Sequence, residues 1–286
     1  MHSKASLAAD LRRLGCAQGT ILLVHASLGS MGPVRDGART VVRALRAVLG
    51  PEGTLVVPAF TAGNSRTSPQ YMARTRGMTD SRLREFHDGM EPFRASSTPS
   101  EGVGRIAEEV RRTAGARRSG HPQTSFAALG GAHAERVTAG HAEDCHLGEQ
   151  SPLGRLYELG AHILLLGVGF EVCTAFHLAE YRPPGPTRRY DCKVLVGGTP
   201  RWTSSVDVDL HDEDFGPLGR WLETRSRDDD LTADGRIAHG RVGNAESRLL
   251  PLRWAVDSAV AGMDLHRPSR AHAVGGPDVE RPRVRP

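Results

Sequence analysis

Apolar residues recur at helical spacing from Leu7 to Leu14, and Gly15 follows as a stop. Thr20 to His25 is a short, nearly continuous apolar run of the kind a buried strand carries. Asp36 stands in an N-cap position before a helix to about Leu49, with Val41, Val42, Leu45 and Val48 on its inner face. Pro51-Glu52-Gly53 reads as a turn, and Thr54 to Phe60 as a second strand. This β-α-β order predicts two parallel strands joined by a right-handed crossover.

Residues 61–100 show no sustained period and are rich in Gly, Asn, Ser, Thr and Pro. They read as a long functional loop or lid. Glu101 to Thr113 returns to helix, Ser125 to Leu129 to strand, and Ala132 to Ala139 to a short helix. Ser151 caps a helix from Pro152 to Leu159, with proline at its first position. Ala161 to Val168 is the strongest strand pattern, and it leads directly into a helix from about Thr174 to Tyr181 that Arg182-Pro183-Pro184-Gly185-Pro186 ends. Lys193 to Val196, Gly197-Gly198 and Trp202 to Val208 form a hairpin. Helices follow over Pro217 to Thr224 and Arg253 to Met263, and residues 264–286 read as a disordered tail. The fold expected is α/β: a three-layer-like sheet with mostly parallel central strands and flanking helices, plus a smaller hairpin and helix part towards the C-terminus. Residues 1–263 are expected to form a single domain.

Composition narrows the classes. No apolar run approaches the roughly 20 residues of a membrane span, and the start lacks the apolar core of a signal peptide, so a cytoplasmic protein with no membrane partner is expected. Cys16, Cys145, Cys173 and Cys192 contain no CxxC and read as reduced thiols. The net charge is +4, and Lys4 and Lys193 are the only lysines among 37 basic residues. The arginines are dispersed among acids and aromatics are 5%, which argues against a nucleic-acid partner.

Three segments carry candidate chemistry. In Cys173-Thr174-Ala175-Phe176-His177-Leu178-Ala179-Glu180-Tyr181, helical spacing puts Thr174, His177, Glu180 and Tyr181 on one face, and Phe176 and Ala179 elsewhere. A carboxylate beside an imidazole holds one tautomer and raises its basicity, although a buried helix with an incidental His–Glu pair gives the same pattern. Strand-to-helix junctions of this kind are where open α/β sheets place ligands. Arg117-Arg118-Ser119-Gly120-His121-Pro122-Gln123-Thr124-Ser125-Phe126 could grip phosphate or amides, or be a solvated turn. His25-Ala26-Ser27-Leu28-Gly29-Ser30-Met31-Gly32 follows a strand and offers backbone amides, but its spacing matches neither a Walker loop nor a dinucleotide fingerprint. A zinc hydrolase is a rival reading of the thirteen histidines, weakened by the lack of HxH, HExxH or CxxC. Cys173 as an acyl-carrying nucleophile beside His177 is another.

Taken in order, these three segments resemble the aminoglycoside 3-N-acetyltransferase family, also called the antibiotic N-acetyltransferases. The similarity is carried by LLVHASLGSMGPVRDGARTVVRALRAVLGPEGTLVVPAFT, SSTPSEGVGRIAEEVRRTAGARRSGHPQTSFAALG and LGEQSPLGRLYELGAHILLLGVGFEVCTAFHLAEYR. The resemblance implies acetyl-coenzyme A as co-substrate, an aminoglycoside amine as acceptor and no metal. It implies His177 as the catalytic base, with Glu180 and Thr174 beside it. It implies coenzyme A contacts at His25, Ser27, Leu28, Arg118, Ser119, His121 and Ser125. Two departures lie beside this site: Cys173 where the family often has Asn, and Ala26-Ser27 where it commonly has two serines. A polycationic substrate wants an acidic pocket, for which Glu91, Asp144, Glu149, Asp212, Glu213 and Asp214 are the candidates. Alternatives are a different amine substrate and a non-catalytic coenzyme A binder.

Overall fold

The computed structural model describes residues 1–227 and 236–266. A seven-stranded sheet runs through its centre, built from β1 (Ile21–Ala26), β2 (Thr54–Pro58), β3 (Arg117–Arg118), β4 (Phe126–Leu129), β5 (His162–Leu166), β8 (Ala238–Val242) and β9 (Ala245–Pro251), in the order β3-β4-β2-β1-β5-β9-β8. The three central strands are parallel: β1 pairs with β2 and with β5. β4 adds to β2, and β9 to β5, in antiparallel sense. The expected parallel pair therefore sits at the heart of an α/β sheet.

Both faces of the sheet are covered, which is why its central strands read as unbroken apolar runs. Leu22, Val24, Leu55, Val57, Leu164 and Leu166 face one core, roofed by α1 (Lys4–Leu14), α2 (Ala38–Leu49) and α5 (Gly104–Arg112). Ile21, Leu23, Val56, Ile163 and Leu165 face the other. That side is covered by α6 (His133–Thr138), α7 (Pro152–Glu158), α8 (Phe176–Glu180), α9 (Phe215–Arg225) and α10 (Leu252–His266). Ser151 caps α7 with Pro152 in its first turn, as its sequence dictates. No helix among the described residues is long and apolar enough to cross a membrane.

Several boundaries differ from the sequence reading. Asp36 does not cap α2: it takes φ 55°, and Gly37 (φ 56°) is the N-cap without a side-chain bond. The chain turns there through left-handed backbone, which aims the Asp36 side chain elsewhere. β2 stops at Pro58 rather than Phe60, and α5 starts at Gly104 rather than Glu101. The helix expected from Thr174 shortens to α8, preceded by a 3-10 turn over Phe170–Val172. The hairpin is longer than expected, with β6 (Thr187–Val196) and β7 (Thr199–Val208) meeting at Gly197-Gly198, both at positive φ. β3, β8 and β9 were not anticipated. Most of the expected tail, residues 267–286, lies outside the described residues, and α10 covers its first three positions.

The 61–100 segment is not structureless. It holds a 3-10 turn (Ala62–Asn64), α3 (Pro69–Thr75) and α4 (Asp80–Gly89). Ser68 and Thr79 cap the two helices by accepting from Tyr71 N and Arg82 N. The segment is moored to the hairpin: Arg66 N donates to Asp191 O, and Lys193 Nζ donates to the carbonyls of His87 (2.6 Å) and Asp88 (3.3 Å) at the end of α4. The Arg66 guanidinium also lies 4.1 Å from the Trp202 ring centre.

Candidate active site

Two turns at the C-terminal ends of parallel strands meet to form the site. After β5 the chain reverses at Gly167 (φ 68°), where a Cβ would lie 2.6 Å from Ser30 Cβ and 2.9 Å from Ala245 Cβ. Only glycine lets this turn and the one after β1 approach so closely. Ser30 Oγ is 2.9 Å from Gly167 O, and Ser27 N donates to Leu166 O (2.9 Å).

α8 follows this junction. Phe176, Leu178 and Ala179 are buried and anchor it, with Phe176 packed edge-on against Phe215. The i,i+3 spacing brings the other face together: His177 Nδ1–H donates to Glu180 Oε2 at 2.6 Å. The His177 side chain is 12% exposed and that of Glu180 is 3% exposed, so the ring reaches solvent while its carboxylate is shielded. Glu180 Oε1 accepts from His211 N (3.1 Å), and the Phe215 ring lies 4.7 Å from the imidazole. With Nδ1 committed to a carboxylate, Nε2 carries the lone pair, which is the tautomer a general base requires.

Beside this pair, Thr174 Oγ1 is 3.3 Å from His25 Nε2. Burial, with His177 nearby, drives the His25 pKa down to about 3, so its ring is neutral. Ser27 and Leu28 are half-buried at the mouth of the same turn. Within that turn Ser27 Oγ lies 3.0 Å from Ser30 Oγ.

The arginine–serine segment is differently placed. Ser119 and Ser125 are fully buried: Ser119 Oγ accepts from Phe126 N (2.9 Å), and Ser125 Oγ donates to Ala59 O (2.8 Å). The Arg118 guanidinium bonds Ser125 Oγ (2.9 Å) and the carbonyls of Thr98 and Ala59, and burial lowers its pKa to about 10. His121 Nδ1 accepts from Gln123 N (3.2 Å) and Thr124 N (3.0 Å), and burial holds its pKa well below the ordinary value. The polar atoms of Arg118, Ser119 and Ser125 thus brace the wall from within.

Among the acidic candidates, Asp212, Glu213 and Asp214 lie between His211, which holds Glu180, and Phe215, which packs on His177. Glu149 is exposed and paired with Arg182 (2.6 Å). Asp144 and Glu91 are exposed on separate segments. Cys173 is buried, and burial raises its thiol to about 12. That is the opposite of what an acyl-carrying nucleophile needs.

Sequence reasoning missed a buried network behind α8. Asp207 Oδ2 accepts from Tyr181 Oη (2.6 Å), His146 N (2.6 Å) and His146 Nδ1 (2.8 Å). Ser119 Oγ meets His141 Nδ1 (3.0 Å), while His141 Nε2–H points at the carbonyls of Cys145 (3.1 Å) and His146 (3.0 Å). The His146 ring is committed to Asp207. A depression of about 370 Å³ lined by His239, Arg241 and Arg248 on the β8–β9 edge includes none of these groups.

Comparison with known proteins agrees with this architecture. Residues 23–264 match the family aminoglycoside 3-N-acetyltransferase. Aminoglycoside N(3)-acetyltransferase VII of Streptomyces paromomycinus is 36% identical over 271 residues, covering 92% of this chain and 91% of that protein. The crystal structure of YokD from Bacillus subtilis superposes with a TM-score of 0.81 at 33% identity, covering 91% of this chain and 98% of that one. AAC-IIIb, solved as a binary complex with CoASH, superposes with a TM-score of 0.78 at 29% identity, covering 94% and 99%. The chain belongs to the aminoglycoside 3-N-acetyltransferase family.

Proposed function

We propose that this chain acetylates the 3-amino group of a 2-deoxystreptamine aminoglycoside by direct transfer from acetyl-coenzyme A, with His177 as general base. The observation that carries this reading is the 2.6 Å bond from His177 Nδ1–H to Glu180, on a ring that still reaches solvent. Acetyl-coenzyme A supplies an acyl group already reactive toward a neutral amine, so the protein has only to orient the partners and take a proton. His177 Nε2 accepts that proton, and Glu180 stabilises the imidazolium that results. Neutral His25 can donate Nε2–H to Thr174 Oγ1, which frees the threonine hydroxyl proton for charge developing on the acyl oxygen.

Residues 1–263 act as one catalytic unit in this reading, with both substrates in one cleft. His25, Ser27, Leu28 and His121 line the coenzyme A side, braced by Arg118, Ser119 and Ser125. The 61–100 segment, held against the hairpin by Lys193 and Arg66, supports the amine side. Asp212, Glu213 and Asp214 supply its negative charge, with Glu91, Asp144 and Glu149 at longer range. The biological role is resistance or self-protection in the cytoplasm. The test is thiol release from acetyl-coenzyme A across a panel of aminoglycosides, with NMR assignment of the acetylated nitrogen. Release that depends on a 2-deoxystreptamine acceptor, with acetyl on the 3-amino group, supports the reading. Coenzyme A binding without release on any acceptor refutes it in favour of a non-catalytic binder.

A further inference from the structure

We propose that Tyr181 and Asp207 are a positioning pair that sets the His177–Glu180 geometry from behind, by gripping the end of α8. The inference rests on the acetyl-transfer reading above. α8 has five residues, too few for a helix to hold its own shape, so its last turn takes its orientation from outside partners. Two of those partners come from one stretch at the end of β7 and just beyond it. Asp207 Oδ2 holds the hydroxyl of Tyr181 at 2.6 Å, and four residues on, His211 N holds Glu180 Oε1 at 3.1 Å. Two consecutive residues of the catalytic segment are thus gripped by one strand end.

The Tyr181 side chain is constrained at both its ends. Its hydroxyl donates to Asp207 and accepts from Leu147 N (3.2 Å), and its ring lies so close to Gly148 that a Cβ there would come within 2.4 Å of it. Asp207 is a rigid anchor for that hydroxyl. Although burial opposes ionisation, bonds from the His146 side chain, His146 N, Tyr181 and Val208 N hold its carboxyl below the usual range. Its Oδ1 accepts from Val208 N (2.8 Å), so both oxygens are engaged. These bonds hold the segment that carries Glu180, so the pair acts through Glu180. It also links the seating of the β6–β7 hairpin to the alignment of the base, because Asp207 belongs to that hairpin.

Tyr181→Phe keeps the ring against Gly148 and removes only the hydroxyl, so it is the primary test variant. It is measured alone and in combination with Glu180→Gln, together with thermal melting and the KM for acetyl-coenzyme A. If Tyr181 works through Glu180, the single variant loses roughly tenfold in kcat with KM within about twofold, the lower end of what one lost hydrogen bond to a charged group costs. In the Glu180→Gln background the same change costs under about twofold, because the linkage is already broken. Asp207→Asn is the second variant and follows the same pattern. Equal losses of kcat in both backgrounds, or a lower melting temperature with kcat unchanged, overturn the proposal while leaving the acetyltransferase reading intact. An inactive wild-type chain would instead overturn that reading, and the proposal with it.

Discussion

Each carboxylate oxygen of Glu180 accepts a hydrogen bond, which makes Glu180→Gln a sharp perturbation. Oε2 accepts from His177 Nδ1–H at 2.6 Å and Oε1 from His211 N at 3.1 Å. An amide has one acceptor oxygen and must present its NH2 group to the other donor. If the oxygen faces His211 N, the NH2 faces His177 and favours the tautomer with a proton on Nε2, which is no longer a base. If the oxygen faces His177, a shielded backbone N–H is left against an NH2, at a loss of about 1–3 kcal/mol. In either arrangement the charge that stabilises the imidazolium is gone, and a hydrogen bond to a charged group is worth about 1.5–3 kcal/mol. At about 1.36 kcal/mol per decade, the expected fall in kcat is roughly 10- to 150-fold. Steady-state thiol release at saturating acetyl-coenzyme A measures it, with coenzyme A affinity by calorimetry as the control. A variant within about threefold of wild type in kcat would show that the carboxylate contributes nothing to the base, and the argument would fail.

Two further outcomes follow from the buried groups. Burial lowers the pKa of His25 to about 3 and of His141 to about 4, and holds His121 well below its ordinary value. The folded protein therefore keeps these rings neutral where the unfolded chain takes up protons. Stability is full above about pH 6.5 and falls as pH drops below it, by about 1.4 kcal/mol per pH unit for each group. Thermal melts should decline steeply from pH 6.5 to 5, with a shallower slope in His141→Asn, and a flat profile would contradict the assignment. Cys173→Ala should keep kcat within about threefold, since a thiol raised to about 12 contributes no nucleophile. Mass spectrometry of enzyme quenched in turnover should show no acetyl-cysteine, and an adduct on Cys173 would overturn the direct mechanism.

The parts of the fold that could be read from the chain are those where burial imposes a period. β1, β2 and β5 are covered on both faces, so their apolar runs are unambiguous. α4 buries no side chain, so it leaves no apolar stripe, and only the caps Ser68-Pro69 and Thr79-Asp80 mark this stretch as helical. The β8–β9 hairpin hides in a polar run, although Gly243-Asn244 between Ala238–Val242 and Ala245–Pro251 is its turn signal. At the site, the spacing of Thr174, His177 and Glu180 is local, so helical geometry alone places them together. His211 and Asp207 lie about thirty residues further on and reach α8 only because the hairpin returns the chain, which no local pattern encodes. Ser119, Ser125 and Arg118 look like ligand-facing groups in sequence, and only packing reveals that their polar atoms turn inward.

Replacing His177 with Ala and measuring single-turnover acetyl transfer, alongside coenzyme A affinity, tests the central assignment most directly. The account predicts a loss of about 10²- to 10⁴-fold in rate, the range of a general base, with coenzyme A affinity within about threefold of wild type. Transfer at more than about a tenth of the wild-type rate would contradict it, because a group other than the His177 imidazole would then be taking the proton.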